Sequence, residues 1–348
     1  MPTSVPNGVI TFPMLGEGFA FTAKNTFTIF GLTLYWYGAI IAVGFLLAFL
    51  YSNRYRRHVG LGGDDFYDYL IAAVPSAIVF ARLYYVAFNF SLYRGNLSDI
   101  FKLWNGGLAI YGGVIGAVLA ALIVARVKRQ PVTAILDVAA PGLLIGQAVG
   151  RWGNFVNREA FGAETEIFCR MGLTSEAGIT YYVHPTFLYE SLWNLLGLLI
   201  IHIYTKKKGR RYDGQVFAFY IAWYGFMRML IEGLRTDSLM LFNTGLRVSQ
   251  VLAGLTFAVA LFILCYNGSR EHPPEKLFVN RVRESESEET PESEEAAETT
   301  EESEPETPES EKAEETEEAT ETTEESETET TESETPEPEA PESETPHP

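Results

Sequence analysis

Seven long apolar stretches constrain this chain more than any other feature of its sequence. They lie at 32–52, 67–90, 107–126, 132–150, 185–205, 214–234 and 247–267. A helix of about 20 apolar residues crosses the hydrocarbon core of a bilayer. A large soluble protein can bury a few helices this apolar, but seven with so little polar interruption are typical of a membrane protein. We therefore predict an all-α integral membrane protein with seven transmembrane helices.

Positive charges between these stretches predict the orientation of the chain. Clusters of arginine and lysine follow the first, third, fifth and seventh stretches, and the densest of them lies at 206–211. Such clusters are enriched in cytoplasmic loops. Because these are alternate connections, we predict that the N-terminus faces outward and the C-terminus faces the cytoplasm. The long connection at 151–184 then faces outward.

The charge of the chain divides it near residue 284. The formal net charge is −19, but residues 284–348 carry −28, from 29 glutamates and one lysine, and residues 1–283 carry +9. A segment of Glu, Thr, Ser and Pro buries too little apolar surface to offset the entropy of ordering it. We predict a seven-span membrane domain at 1–283 and a disordered cytoplasmic tail at 284–348. A solvated extension is favoured over an interaction tail.

The cysteine and histidine content argues against several classes of site. Two cysteines in the chain exclude a disulfide-rich fold and a cysteine-rich metal or iron–sulfur centre. The predicted topology separates Cys169, in the outward connection, from Cys265, near the inner end of the seventh stretch, so they cannot pair. His184 is the outward-facing histidine, and one histidine makes no metal site. We expect no metal and no cofactor.

Polar and cationic side chains converge at one depth near the outer ends of five stretches. They are Tyr37, Arg82, Tyr111, Arg151 and the group Tyr224, Arg228 and Glu232. The last three follow one another at a spacing of four residues, which places them on one helical face. Ionisable groups inside a membrane are costly and are functional candidates by default. This convergence predicts a single outward-facing site.

The chemistry of these side chains favours a phosphate ligand. Guanidinium groups stay protonated and form paired, charged hydrogen bonds with phosphate oxygens. Asn154 and Glu159 follow Arg151 closely and add polar groups at the same end. An anionic phospholipid headgroup of the outer leaflet fits both the chemistry and the depth.

Structural interpretations of the same residues stay open at this point. Arg82 could equally reach the membrane surface with its charged end, and Arg228 with Glu232 could be an ion pair within one helix. Gly112 and Gly116 lie four residues apart in the third stretch, and small residues at that spacing let helices pack closely. A packing role is favoured for these glycines.

The segment at 150–162 resembles a known signature. Its sequence, GRWGNFVNREAFG, is similar to the pattern Gly-Arg-x-Gly-Asn-Phe-x-Asn-x-Glu-x-x-Gly of the prolipoprotein diacylglyceryl transferase family. The resemblance covers roughly 20–270, and the family has the seven-span, N-outside topology predicted above. Further matching motifs are Trp36-Tyr37-Gly38, Trp104-Asn105-Gly106-Gly107, Tyr111-Gly112-Gly113, His184-Pro185 with Tyr189-Glu190, and Tyr224-Gly225 with Arg228, Glu232 and Arg235.

The resemblance implies the first step of bacterial lipoprotein maturation. Such an enzyme transfers the diacylglyceryl group of phosphatidylglycerol to the thiol of the lipobox cysteine of a preprolipoprotein. It forms a thioether and releases glycerol phosphate. The expected partners are phosphatidylglycerol, preprolipoprotein signal peptides and membrane lipid, with no nucleic acid. The expected location is the bacterial plasma membrane, with the active site at the outer leaflet.

The resemblance also assigns roles to single residues. The essential arginines match Arg151 and Arg228, and the essential tyrosines match Tyr37 and Tyr224. The phosphatidylglycerol-binding set is expected to be Arg151, Tyr37, Asn154, Glu159, Gly162 and Glu232, and the catalytic set Arg151, Arg228, Tyr224 and Tyr111. Where some members have a histidine, proposed there as the base, this chain has Tyr111, which puts a universal histidine base in doubt.

Three other interpretations remain at this stage. Cys169 could carry the acyl group as a nucleophile within an enzyme. A seven-span anion transporter could use the same arginines, but it would need polar residues in the inner half, where Asp137 is the main exception. A purely structural membrane partner would not need arginines placed for phosphate.

Overall fold

The computed structural model describes residues 4–5, 8–16, 18–22, 24–103, 106–235, 247–285 and 287. Trp104 and Asn105 of the family motif lie outside these residues, and so does the predicted tail from residue 288 onward. Helical backbone covers 278–285, so the described chain continues as a helix into the first residues assigned to the tail.

Seven long α-helices make up most of the described chain. They are α1 (Trp36–Tyr55), α2 (Gly63–Phe88), α3 (Ile110–Val127), α4 (Val132–Asn157), α5 (Thr186–Lys207), α6 (Gln215–Leu234) and α7 (Val248–Gly268). Each overlaps one of the predicted apolar stretches. Six of them are long and apolar enough to cross a membrane, which leaves out α6. Its tyrosine, tryptophan, arginine and glutamate side chains lower its mean hydropathy, and three of those residues, Tyr224, Arg228 and Glu232, belong to the predicted site.

The prediction of an all-α chain was wrong for the segments outside the helices. A four-stranded antiparallel sheet has the order β2-β1-β5-β6, and a separate hairpin joins two further strands. The strands are β1 (Val9–Thr11), β2 (Ala20–Phe21), β3 (Thr26–Ile29), β4 (Leu32–Tyr35), β5 (Met171–Thr174) and β6 (Thr180–Val183). Strands this short carry almost no periodic signal. The sheet depends on pairing β1 with β5 across a large separation in sequence.

A small apolar core joins this sheet to the helices. Its buried side chains include Ile10, Phe161, Leu173, Val183 and Phe187. Phe187 belongs to the first turn of α5, so the sheet packs against the start of that helix. The connection between α4 and α5 is therefore a folded cap on the bundle.

Close packing of α2 and α3 confirms the packing role of two glycines. A methyl group on Gly112 would collide with the carbonyl oxygen of Phe80, and one on Gly116 would lie 2.5 Å from the carbonyl oxygen of Ser76. Because backbone atoms cannot give way as a flexible side chain can, any larger residue at either position would push the two helices apart.

A buried ion network locks the other end of the bundle. Asp137 of α4 accepts hydrogen bonds from Arg210 Nη1, Gly214 N and Phe217 N, each 2.8 Å long. Arg210 Nη1 also lies 2.9 Å from Asp213 Oδ1. The side chains of Asp137 and Arg210 are 0% and 2% exposed. We call Asp137, Arg210 and Asp213 the Asp137 network; it ties α4 to the start of α6.

Candidate active site

The last two turns of α4 hold the first group of predicted site residues. The sequence prediction ended this helix at residue 150, but it continues to Asn157. Arg151 and Asn154 therefore lie about one helical turn apart, and Arg151 Nη1 donates to Asn154 Oδ1 at 3.2 Å. Asn154 Nδ2 in turn donates to Glu159 Oε1 at 3.0 Å. Glu159 thus reaches the arginine through Asn154 rather than directly.

The start of α5 contributes a residue that the site predicted from the sequence did not include. Glu190 has a side chain that is 4% exposed, and its Oε2 lies 2.7 Å from Arg151 Nη2. Its other oxygen, Oε1, lies 3.8 Å from Arg228 Nη1. One carboxylate therefore faces both predicted arginines, which belong to α4 and α6.

The second half of α6 completes the cluster. Arg228 Nη2 lies 2.5 Å from Glu232 Oε2, an ion pair within one helix. Arg228 Nη1 is buried and has no hydrogen-bond partner among the described residues. The connected side chains, in order, are Glu159, Asn154, Arg151, Glu190, Arg228 and Glu232. We call this set the arginine chain.

Tryptophan contacts fix the three helices that carry the arginine chain. Trp152 Nε1 donates to Ser191 Oγ at 3.2 Å, directly beside the Arg151–Glu190 pair. Trp193 and Trp223 stack with ring centroids 4.1 Å apart, and each indole donates to the other residue's carbonyl oxygen. The distances between the charged groups are therefore set by helix packing.

The electrostatics of the arginine chain suit an anionic ligand. The arginine chain contains two arginines and three carboxylates. Glu159 contacts Asn154 and not an arginine, so the two arginines contact only the carboxylates of Glu190 and Glu232. The arginine side chains are 19% and 17% exposed, which leaves them reachable from outside. A buried N–H without an acceptor is costly. Arg228 Nη1 is therefore positioned to donate a charged hydrogen bond to an arriving oxygen.

Two of the predicted tyrosines lie on helices beside the arginine chain. The ring of Tyr37, at the start of α1, packs on Gly153, where a methyl group would lie 2.7 Å from Tyr37 Cδ2. Gly153 is flanked in the helix by the residues of the Arg151–Asn154 pair. Tyr224 lies one turn before Arg228 on α6, and its ring stacks on Tyr220 with centroids 6.1 Å apart.

Tyr111 lies at the start of α3, where the packing partner is α2. Its side chain is about half exposed, and its ring centroid lies 6.4 Å from that of Tyr84. Within the described residues, no recorded contact joins Tyr111 to the arginine chain.

Gly162 has a role in the backbone of the connection between α4 and α5. Its N–H donates to the carbonyl oxygen of His184 at 3.0 Å. A methyl group there would lie 2.6 Å from His184 Cβ. The close approach of two backbone segments requires a glycine at this position, and its N–H is already used.

Arg82 is neither directed to the surface nor available to a ligand. It is 5% exposed, and its guanidinium donates to backbone carbonyl oxygens at the end of the loop before α3. The acceptors are Asp99, Ile100, Lys102, Gly106 and Gly107. Both sequence interpretations of this residue were wrong, because it holds the loop together.

A second polar group lies beside the arginine chain. Tyr189 Oη is 3.4 Å from His184 Nδ1 and 3.6 Å from Cys169 Sγ. Burial lowers the pKa of His184 below its usual 6.5, so the imidazole is neutral at pH 7. Cys169 and Cys265 are both free. Among the described residues, no group of three or more His, Cys, Asp or Glu could hold a metal ion.

Sequence reasoning thus found five members of the arginine chain and missed the sixth. In the sequence, Glu190 appeared only within the Tyr189-Glu190 motif, and it lies on α5 whereas the two arginines lie on α4 and α6. Nothing local in the sequence indicates that its carboxylate faces two arginines from two other helices.

Comparison with known proteins agrees with this architecture. Residues 24–266 match the sequence model of the family described as prolipoprotein diacylglyceryl transferase, a range that contains the whole arginine chain. A relative from Listeria monocytogenes serotype 4a is 45% identical over 246 residues, covering 69% of this chain and 87% of that protein. One from Streptococcus pneumoniae strain D39 is 44% identical over 248 residues, covering 70% and 93%. Both are named phosphatidylglycerol–prolipoprotein diacylglyceryl transferase. This chain belongs to the prolipoprotein diacylglyceryl transferase family.

Proposed function

We propose that this chain transfers the diacylglyceryl group of phosphatidylglycerol to the lipobox cysteine of a preprolipoprotein, with the arginine chain as its phosphate site. Family membership and the name shared by the relatives support the reaction. The observation that carries the site assignment is Arg228 Nη1. It is a buried donor that makes no hydrogen bond to any described residue, and a second arginine lies across one shared carboxylate.

Phosphate binding follows from the geometry of the two arginines. Arg151 and Arg228 offer charged hydrogen bonds to the phosphodiester from two helices. Glu232 orients Arg228, and Glu159 orients Arg151 through Asn154. Tyr37, which packs beside this pair, holds the glycerol of the headgroup together with Asn154. Gly162 contributes by keeping the outward connection close to His184 rather than by touching the lipid.

The chemical step is a displacement at a glycerol carbon. The thiolate of the lipobox cysteine attacks the carbon that bears the phosphate ester, a C–S bond forms and the C–O bond breaks. The electron pair leaves on glycerol phosphate, and the thiol proton passes to solvent through the enzyme. Arg151 and Arg228 stabilise the negative charge that develops on the leaving group, which is the largest contribution expected of such a site.

Proton removal is assigned to a tyrosine hydroxyl. A free thiol has a pKa near 8.5, and the field of the arginines favours its thiolate. Tyr224, one turn from Arg228, and Tyr111, at the start of α3, are the proposed relay groups. Tyr111→Phe is expected to lower kcat with KM for phosphatidylglycerol unchanged. Near-normal turnover of that variant would exclude Tyr111 from the relay.

The membrane arrangement is part of the proposal. Seven spans, an outward N-terminus and a cytoplasmic C-terminus place the arginine chain at the outer leaflet of the plasma membrane. The alternating arginine and lysine clusters support this topology. We also propose that the acidic segment predicted at 284–348 is, beyond its helical first residues, a disordered cytoplasmic tail that takes no part in the chemistry.

An anion transporter is less well supported than a transferase. Asp137 was the main polar group expected along an inner path, and it is fully buried and bonded to Arg210 and two backbone N–H groups. It therefore has no free face to offer a permeating ion.

The test uses the purified protein in detergent with phosphatidylglycerol and a lipobox peptide containing one cysteine. We expect glycerol phosphate release to match the peptide's gain of one diacylglyceryl group. Arg228→Ala should reduce kcat/KM by roughly 10²–10³-fold, the loss typical of removing one donor from a charge-stabilising site. Arg228→Lys keeps the charge but not the paired geometry, and we expect it to recover only part of the activity.

Two results would contradict this assignment in different ways. Full activity of Arg228→Ala would keep the transferase and remove the phosphate site from the arginine chain. A folded wild-type protein that binds the lipid and transfers nothing would overturn the proposed reaction.

A further inference from the structure

Glu190 occupies a position that the phosphate-site proposal leaves unexplained. It is buried between α4 and α6, and it is the only described carboxylate recorded within 4 Å of both arginines. Its two oxygens are not equivalent. Oε2 makes a short contact of 2.7 Å with Arg151, whereas Oε1 stays 3.8 Å from Arg228, beyond hydrogen-bond distance.

The unequal distances follow from helix packing. The Trp152–Ser191 hydrogen bond fixes α4 against α5 next to Arg151 and Glu190. The reciprocal bonds of Trp193 and Trp223 fix α5 against α6. The gap between Glu190 Oε1 and Arg228 Nη1 is therefore built into the bundle.

The charges around this gap decide what it can accept. Glu190 and Glu232 already balance the charges of the two arginines that they contact before a phosphodiester arrives with one negative charge. The arriving anion must compete with a carboxylate for the guanidinium donors. Arg228 Nη1 is where that competition is weakest, because Glu190 faces it through charge alone and makes no hydrogen bond to it.

We propose that Glu190 is a positioning residue that acts as a counter-ion shared by the two arginines. It contacts Arg151 at hydrogen-bond distance and Arg228 at a longer distance, so that one phosphate can replace Glu190 as the partner of Arg228. This inference rests on the proposed phosphate site. Before phosphate binds, the negative charge of Glu190 offsets the repulsion between the two guanidinium groups. When phosphate binds, the Arg151 contact remains and keeps that arginine aligned with Arg228.

Glu190→Gln separates the two parts of this role. It keeps the shape of the side chain and removes its charge, so phosphate meets less competition and should bind several-fold more tightly. The arginines lose their common anchor, and we expect kcat to fall by about tenfold to hundredfold, as for misalignment of about 1 Å at a reacting centre. A merely structural role would lower stability without strengthening phosphate binding.

The measurements are kcat and KM for phosphatidylglycerol, and inhibition by inorganic phosphate. Phosphate is also titrated against the thermal unfolding temperature, which reports binding without any turnover. Glu190→Asp keeps the charge on a shorter side chain, so we expect reduced kcat with phosphate affinity close to wild type. Glu166→Gln removes the same charge from an exposed residue that contacts neither arginine and should change neither quantity.

The outcomes separate this inference from the proposed function. Normal kcat in Glu190→Gln, or weaker phosphate binding in a folded variant, would overturn the counter-ion role while leaving the transferase in place. If the wild type transfers nothing, the proposed function fails. The unfolding titration then still decides whether Glu190 competes with phosphate. If Glu190→Gln does not fold, unchanged kcat in Glu190→Asp would overturn the inference.

Discussion

The two ion networks at opposite ends of the bundle differ in how completely their members are bonded. In the Asp137 network, both carboxylate oxygens of Asp137 accept hydrogen bonds, and the side chain of Arg210 is 2% exposed. In the arginine chain, Arg228 Nη1 has no hydrogen-bond partner among the described residues, and the arginine side chains are 17–19% exposed. Both networks join α4 to α6, so the choice of helices that they connect does not explain the difference.

The comparison teaches that completeness of bonding distinguishes a structural network from a ligand site. Buried charges are tolerated when each is paired and hydrogen-bonded, and removing one partner then costs stability. A network that leaves a buried donor without an acceptor gives up some of that stability and can recover it when a ligand supplies the missing acceptor. Arg82, held by backbone carbonyl groups, belongs with the structural class despite its place in the predicted site.

The largest expected effect is on folding, at the Asp137 network. Arg210→Ala leaves Asp137 buried without its charge partner, and breaking a buried pair in this way costs about 3–5 kcal/mol. We expect a clear drop in the unfolding temperature in detergent, with kcat per folded molecule close to wild type. If Arg210→Ala were as stable as wild type, the Asp137 network would not be the structural one of the two networks.

A smaller effect is expected from the far end of the arginine chain, and it should be on activity. Asn154→Ala removes the hydrogen bond to Arg151 and separates Glu159 from it. A hydrogen bond to a charged group contributes about 1.5–3 kcal/mol, which corresponds to roughly 10- to 100-fold in kcat/KM. Transfer kinetics and thermal unfolding should be measured on the same sample. A loss of stability as large as that of Arg210→Ala would erase the distinction between the two networks.

The smallest expected effect is at Cys169, which contacts Tyr189 and not the arginine chain. Cys169→Ser keeps a polar atom close to the hydroxyl of Tyr189, which lies 3.6 Å from the sulfur of Cys169. We expect transfer activity within about twofold of wild type, since surface changes away from special features cost little. Loss of activity in a folded Cys169→Ser protein would restore Cys169 as a covalent nucleophile and would weaken the phosphate-site comparison.

Local patterns in the sequence were enough for the helices and for most of the candidate site. Apolar stretches of helical length anticipated all seven helices, because hydrophobicity and period are properties of neighbouring residues. The four-residue spacing of Arg228 and Glu232 likewise anticipated their ion pair. The sheet escaped prediction because β1 and β5 pair across more than half of the described chain.

What the sequence determined alone was therefore the helical membrane architecture, the family signature and the charged residues available to a site. Only the tertiary structure decided which charges are used up and which remain open. Arg82, Arg210 and Arg228 are the same residue type. Their roles differ because carbonyl groups of one loop enclose the first, a carboxylate of α4 holds the second, and Glu190 stops short of the third. Those partners come from distant segments, so their distances are set by how the helices pack.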